Sequence, residues 1–278
     1  MIPFPSWERR MGLSPTHSMV ETPSREFYRE AMEFLSKANV PFLVGGAFAF
    51  VHQAGIDRST KDLDIFVRPS DVQRLMRASG EAGFEADLFY SHWLAKIRSP
   101  AGFVDVIFSS GNGVAVVDDQ WFEHATEREV LGMKVLVAPP EESLWSKAFV
   151  MERERFDGAD VAHLILAHGE RLDWRRLIDR FGPHWRVLLA HLVLFGFIYP
   201  GERALIPAAV MKDMINRLQA ELDVPTRNSK VCQGTLLSRA QYLVDVDEWG
   251  YEDARVQPRG NMTEDQVQVW TAAIDKSH

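Results

Sequence analysis

The sequence predicts an α/β chain in two parts, a unit mixing strands with helices up to Pro139-Pro140 and a helical unit after it. Three observations carry that reading. Apolar and β-branched runs bounded by Gly, Pro, Asn or Ser recur between residues 41 and 137, as strands do. Apolar residues at helical spacing dominate from Glu141 to Leu222. A chain of 278 residues with 46% hydrophobic and 11% aromatic content holds enough apolar material for one large domain or two modest ones.

The arm 1–22 is rich in proline, with Trp7 and Met11 as isolated apolar anchors, and reads as irregular. Ser24 reads as the N-cap of a helix over residues 25–39, in which Phe27, Ala31, Phe34 and Leu35 share a face and Pro41 marks the stop. A strand over 41–45 leads through Gly45-Gly46 into a short helix over 47–53. The run Asp62-Leu63-Asp64-Ile65-Phe66-Val67 reads as a buried strand. Pro69-Ser70 opens a helix with Val72, Leu75 and Met76 on its apolar stripe, ending near Gly83. Residues 84–90 and 93–99 read as strands turning at Ser91-His92, and 104–108 as a strand after Pro100-Ala101-Gly102. Ser110-Gly111-Asn112-Gly113 signals a hairpin into a further strand over 114–117. A short helix over 118–125 precedes a hairpin centred on Gly132. Beyond Pro139-Pro140 the spacing predicts helices over 141–155, 161–168, 174–181, 184–197 and 203–222, with one more over 234–244 and Trp249 and Tyr251 as packing anchors. The organisation read from this is an arm 1–22, an α/β domain 23–139, a helical domain 140–223 and a C-terminal helix and tail 224–278.

Charge and cysteine content narrow the function. A net charge of −8 argues against a broad nucleic-acid surface, so no DNA partner is expected, although a local basic groove is compatible with it. The single cysteine, Cys232, excludes an internal disulfide, and no Cys/His zinc spacing occurs; a cytoplasmic setting is expected. The N-terminus lacks the apolar core of a signal peptide. The longest apolar run, 187–199, is broken by His191 and short for a bilayer, so no membrane partner is expected.

The chemistry is concentrated in three carboxylates. Alternation along a strand places Asp62 and Asp64 on one face, about 6 to 7 Å apart along the chain, with Leu63, Ile65 and Val67 turned to the core. Asp105 stands in otherwise apolar company on its own strand. Were the two strands neighbours at ~4.8 Å, all three carboxylates would converge, and like charges so crowded require a cation or a retained proton. Mg²⁺, or Mn²⁺ in its place, suits an all-oxygen site that leaves room for phosphate oxygens and water. Gly45-Gly46, between a strand and a helix N-terminus, lets backbone N–H groups approach a phosphate.

With these pieces in order, Gly45-Gly46, then Asp62-Leu63-Asp64, then Asp105, the chain resembles the DNA polymerase β superfamily of nucleotidyltransferases over residues 41–168. The lead-in Arg58-Ser59-Thr60-Lys61 and the later stretch from Pro140-Glu141-Glu142 through Lys147 to Arg153, Arg155, Asp157 and Asp160 look like its bacterial type IV toxin branch. The resemblance implies a small mixed sheet of the nucleotidyltransferase type, followed by a helical domain, and transfer of a nucleoside monophosphate from an NTP to an acceptor hydroxyl. It implies Asp62 and Asp64 as ligands of Mg²⁺ on the triphosphate, and Asp105 as ligand of a second ion and the group that acts as, or helps place, the base for the attacking hydroxyl. The acceptor is left open among a tRNA, a protein and a small molecule, and a nucleotide-binding regulatory module without turnover is the alternative.

Nucleotide contacts are expected at Gly45, Gly46, Arg58, Ser59, Thr60, Lys61, Lys147 and Asp157. Ser59 and Thr60 read equally as phosphate-binding hydroxyls or as turn residues, and one of Arg58 and Lys61 is expected to offset triphosphate charge. The resemblance directs Lys147 to the nucleotide, against a lysine merely snorkelling from apolar company. Asp157 either complements a helix N-terminus or positions Lys147 or the acceptor. The cluster Arg171, Arg175, Arg176, Arg180 and Arg186 reads as a solvated charged face, with RNA contact as its alternative. His163 and His168 read as core or surface histidines, and Cys232, with no basic neighbour beyond Lys230, as packing in preference to a nucleophile.

Overall fold

The computed structural model describes residues 22–225 and 229–273. The chain divides into two compact units, residues 1–139 and 140–278. Trp7, Met11 and the rest of the expected arm up to residue 21 lie outside the described residues.

In the first unit the elements follow as α1 (Thr22–Lys37), β1 (Leu43–Val44), α2 (Gly46–Ala54), β2 (Asp62–Phe66), α3 (Val72–Glu81), β3 (Glu85–Tyr90), β4 (Leu94–Ser99), β5 (Gly102–Ile107), α4 (Asp119–Glu123), β6 (Thr126–Val130) and β7 (Met133–Val137). The strands form one seven-stranded sheet in the order β3-β4-β5-β2-β1-β7-β6. It is mixed: β2 runs parallel to β5 and β1 parallel to β7, while the other neighbours are antiparallel. The parallel pairing of β2 with β5 follows from a crossover that carries α3 and the β3–β4 hairpin between them.

One sheet face is apolar. Leu63, Ile65, Val67, Val104 and Val106 join Phe27, Tyr28, Ala31, Met32 and Leu35 of α1 and Val72, Leu75 and Ala78 of α3 in a single buried core. By alternation the residues between them, Asp62, Asp64 and Asp105, take the opposite face and stay half-buried. The core thus fixes the register that brings the carboxylates together.

Three local expectations for this unit are corrected. Ser24 is not an N-cap: it lies inside α1, and its hydroxyl donates to the Ala101 carbonyl at 2.6 Å. The helix ends at Lys37, with Asn39 in the left-handed region (φ 52°) and the Val40 N–H returning to the Leu35 carbonyl at 2.9 Å, before Pro41 is reached. No strand forms over 114–117. There Asn112 Oδ1 accepts from the Val114 N–H, Ser110 Oγ accepts from the Ala115 N–H, and the Val117 N–H returns to the Phe108 carbonyl. Side chains satisfy backbone groups that a ladder would otherwise need. The β6–β7 hairpin does form around Gly132, with Leu131 and Gly132 both at positive φ (52° and 80°), as a two-residue primed turn requires.

The second unit runs α5 (Pro140–Ala148), α6 (Gly158–His168), α7 (Trp174–Phe181), α8 (Trp185–Ile198), α9 (Ala208–Leu222), β8 (Val231–Cys232), α10 (Leu243–Asp247), β9 (Glu252–Asp253) and α11 (Glu264–Ala272). Its α5 is shorter than the spacing predicts. Beyond Ala148 the Met151 N–H donates to the Leu237 carbonyl, and Glu152 accepts from the Ser238 hydroxyl and the Arg239 N–H, so tertiary partners replace the helical bonds. α9 begins at Ala208, after Pro207, instead of at 203, which lies in a 3₁₀ turn over Pro200–Leu205. The helix expected over 234–244 resolves into a 3₁₀ turn at Gly234–Leu236 and the short α10. The stretch Trp174–Ile198 is long and apolar enough by composition to cross a membrane, yet Gly182-Pro183 divides it and α7 carries Arg175, Arg176, Asp179 and Arg180.

Candidate active site

β2 and β5 lie side by side with Asp64 opposite Asp105 and Asp62 opposite Phe103. One carboxylate oxygen from each of Asp62, Asp64 and Asp105 lies within 4.8 Å of the others. Two of these residues come from one strand at a spacing of two, and the third from its parallel neighbour, so the convergence is a property of the sheet. Flexible loops play no part in it.

The surroundings fix each carboxylate differently. The Thr60 hydroxyl donates to Asp62 Oδ1 at 2.6 Å and accepts from the Asp62 N–H at 3.5 Å, closing a small turn at the head of β2. Asp64 lies against Gly46, the first residue of α2, whose φ of 53° belongs to the left-handed region. The Gly45 N–H donates to the Asp64 carbonyl at 2.9 Å, which ties the diglycine turn to β2. On the other side β4 pairs with β5, placing Lys96 opposite Asp105, and Lys96 Nζ donates to Asp105 Oδ1 at 2.5 Å.

Burial and neighbouring charge act on this cluster. Burial raises the Asp105 pKa above the ordinary carboxylate value of 3.8; the Lys96 hydrogen bond and charge pull the other way, and the negative charge of Asp62 adds to the rise. Tyr28 sits under the head of β2, fully buried, and donates its hydroxyl to the Lys61 carbonyl at 2.9 Å. Burial first, and then the charges of Asp62, Asp64 and Asp105, push its pKa up to about 12. Tyr28 thus lies, on the core side, within reach of the charge of all three carboxylates.

Three carboxylate oxygens so placed form a hard, all-oxygen donor set that could hold a divalent metal ion. Solved structures of similar architecture include the antibiotic-resistance factor ANT(2'')-Ia, at 15% identity and a TM-score of 0.43 over 62% of this chain and 98% of that one. An antigenic nucleotidyltransferase-like protein from Paracoccidioides brasiliensis aligns at 15% identity and TM-score 0.43, covering 69% of this chain and 99% of its own. The lincomycin-bound lincosamide antibiotic adenylyltransferase LnuA aligns at 15% identity and TM-score 0.36, over 52% and 96%. No family model and no curated protein matches the chain. These likenesses are low, and the chemistry rests on the carboxylates themselves.

Of the residues the sequence singles out, Gly45, Gly46, Thr60, Asp62, Asp64 and Asp105 share this one region. The Thr60 hydroxyl is engaged with Asp62. Arg58 is exposed, with its guanidinium 4.5 Å over the Phe50 ring, and Ser59 and Lys61 are exposed beside it.

Lys147 and Asp157 belong to the second unit. Lys147 Nζ lies 2.8 Å from Asp160 Oδ2 and 3.5 Å from Asp157 Oδ2, and Arg155 bonds Asp157 through two nitrogens at 3.0 and 3.1 Å. Asp157 stands at the N-cap position of α6 without a side-chain capping bond; its carboxylate faces the two cations instead. The arginine cluster is not one solvated face. Arg176 and Arg180 both bond the buried Glu142, Arg176 also pairs with Glu141, and Arg186 pairs with Glu221.

Lys96 and Tyr28 were not singled out by the sequence. Lys96 alternates with Ala95 and Ile97 in an ordinary strand pattern, and only the β4–β5 register reveals its partner. Tyr28 reads as one more apolar position of α1.

Proposed function

We propose that the first unit transfers a nucleoside monophosphate from an NTP to an acceptor hydroxyl and releases pyrophosphate, with Mg²⁺ or Mn²⁺ as cofactor. The observation that carries the reading is the convergence of Asp62, Asp64 and Asp105 within 4.8 Å on two adjoining strands beside the diglycine turn.

Asp62 and Asp64 would hold the divalent ion from β2, Asp62 being steadied by Thr60 and Asp64 by its seat against Gly46. When bound, the ion supplies positive charge to the triphosphate oxygens as negative charge shifts toward the leaving group. The glycine turn keeps side chains away from the phosphates and offers the N-terminus of α2 to them. Asp105 orients the acceptor hydroxyl or takes its proton as the oxygen attacks the α-phosphorus in line with departing pyrophosphate. A new oxygen–phosphorus bond forms, and the bond from the α-phosphorus to the bridging oxygen breaks. Acceptors consistent with this chemistry are a tRNA end, a protein hydroxyl and a small molecule.

A second reading has one observation in its favour. Lys96 already neutralises Asp105, which suits a unit that binds nucleotide without turning it over. Incubation with α-labelled NTPs, Mg²⁺ and pools of RNA, protein and small-molecule acceptors separates the two. Label transfer abolished by Asp64→Asn in a folded protein supports catalysis; nucleotide binding with every pool unlabelled supports the regulatory module.

A further inference from the structure

Lys96 is held more closely than a surface lysine. Its side chain is 14% exposed and that of Asp105 17%, with 2.5 Å between Nζ and Oδ1. The ammonium also lies 4.2 Å from the centroid of the Phe103 ring and 5.4 Å from that of Phe89, so aromatic faces from β5 and β3 flank it. Its other cross-strand neighbour, Asp87, is bonded instead by Arg98, Nε to Oδ1 at 2.9 Å. The sheet therefore sorts its charges: Arg98 serves Asp87 at the edge, and Lys96 serves Asp105 at the centre.

A row of side chains across three strands, Asp64, Asp105 and Lys96, results from this register. The ammonium stands on the one carboxylate that comes from β5, whereas Asp62 and Asp64 come together from β2. A cation fixed by the fold beside Asp105 competes for that carboxylate with any ion bound from solution.

We propose that Lys96 is a positioning residue of the acidic cluster, a resident cation that takes the place of a second divalent ion at Asp105, so that the free protein binds a single ion on Asp62 and Asp64. This rests on the metal-dependent reading above and extends it. In the free protein Asp105 is kept in place by the lysine, and it becomes available to an acceptor or a further ion only when the ammonium moves off.

Mn²⁺ binding to the nucleotide-free protein, counted by the electron paramagnetic resonance of unbound Mn²⁺, tests the proposal on wild type, Lys96→Gln, Lys96→Arg and Asp64→Asn, with circular dichroism as the check on folding. One ion per chain is expected for wild type and Lys96→Arg. Lys96→Gln is expected to take up a second ion or to bind the first at least about tenfold tighter, since a unit positive charge has left its side. If Lys96→Gln fails to fold, Lys96→Met, which keeps an unbranched chain against Phe103, replaces it. Equal binding by wild type and the neutral variants, with Asp64→Asn still losing the ion, overturns the role of Lys96 and leaves the metal site standing. Absence of any Mn²⁺ uptake sensitive to Asp64→Asn, in wild type and neutral variants alike, overturns the metal reading and the role of Lys96 together.

Discussion

A side chain at Gly46 and the carboxylate of Asp64 exclude one another, because a β-carbon built on residue 46 stands 1.7 Å from Asp64 Oδ2. The φ of 53° adds a second reason for glycine there. Gly46→Ala should therefore destabilise the fold by about 1 to 3 kcal/mol and push Asp64 from the cluster, lowering Mn²⁺ affinity as well. Asp64→Ala in the same chain should return part of the stability and none of the affinity. Urea denaturation and Mn²⁺ titration of the two single variants and the double variant measure this coupling.

Replacing one carboxylate at a time distinguishes a reactive cluster from a structural one. Asp62→Asn, Asp64→Asn and Asp105→Asn should each reduce label transfer by about a hundredfold or more, since each removes charge at the reacting centre. Stability in the absence of metal should hold or rise for Asp62→Asn, because a like charge leaves the neighbourhood of Asp105. Activity retained near wild type in all three would remove the cluster from the chemistry.

The raised pKa of Asp105 sets a pH dependence whose sign is fixed. The folded protein keeps the proton on this carboxyl above pH 3.8, where the unfolded chain has released it. Stability from this group is thus present at low pH and is lost as pH rises from 3.8 through the higher folded value. Urea denaturation in chelator across that window should show wild type losing stability relative to Asp105→Asn as pH rises, with a constant difference above it. Parallel profiles throughout would mean that Asp105 titrates as an ordinary carboxylate.

How much of this was legible depends on whether a feature is local or set by pairing. Alternation alone places Asp62 and Asp64 together, and the apolar flanks of Asp105 mark its strand. That the two strands adjoin is a tertiary fact, and so is the β4–β5 register that gives Lys96 to Asp105. The same limit explains the misread stretch 114–117: its apolar residues suit a strand, but Ser110 and Asn112 take the backbone partners first. At Glu152 the helical pattern of α5 lost to bonds from Ser238 and Arg239, which lie far along the chain. The capping box of α11, Thr263 with Gln266, is by contrast a local feature, visible in the sequence as Thr-x-x-Gln.

The tail was less legible because short elements carry little periodicity. The two-residue strands β8 and β9 pair in parallel, and Asp253 of β9 bonds the fully buried Arg255 through both carboxylate oxygens. Burial raises the Asp253 pKa, but the hydrogen bonds and charge of Arg255 outweigh it and hold the carboxyl below the usual range. The group therefore contributes stability above the unfolded pKa that is lost as pH falls through the folded value. Asp253→Asn should weaken the protein at neutral pH and flatten its loss in acid, as followed by Trp fluorescence.

In the second unit, Glu142 and Arg186 provide a contrast between buried and exposed pairs. Glu142 is fully buried and accepts from Arg176 at 2.6 and 2.7 Å and from Arg180 at 3.1 Å. Arg180 lies 5.2 Å over the Trp145 ring. Glu142→Ala strips the carboxylate from two partly desolvated guanidinium groups, an imbalance that typically costs about 3 to 5 kcal/mol. Arg186, 54% exposed and paired with Glu221 at 45%, should cost less than about 1 kcal/mol on change to alanine. Denaturation followed through Trp145, Trp174 and Trp185 reads both. A large loss for Arg186→Ala beside a small one for Glu142→Ala would mean that the buried network does not organise α5 and α7, and would return the arginines to the solvated face that their sequence alone suggests.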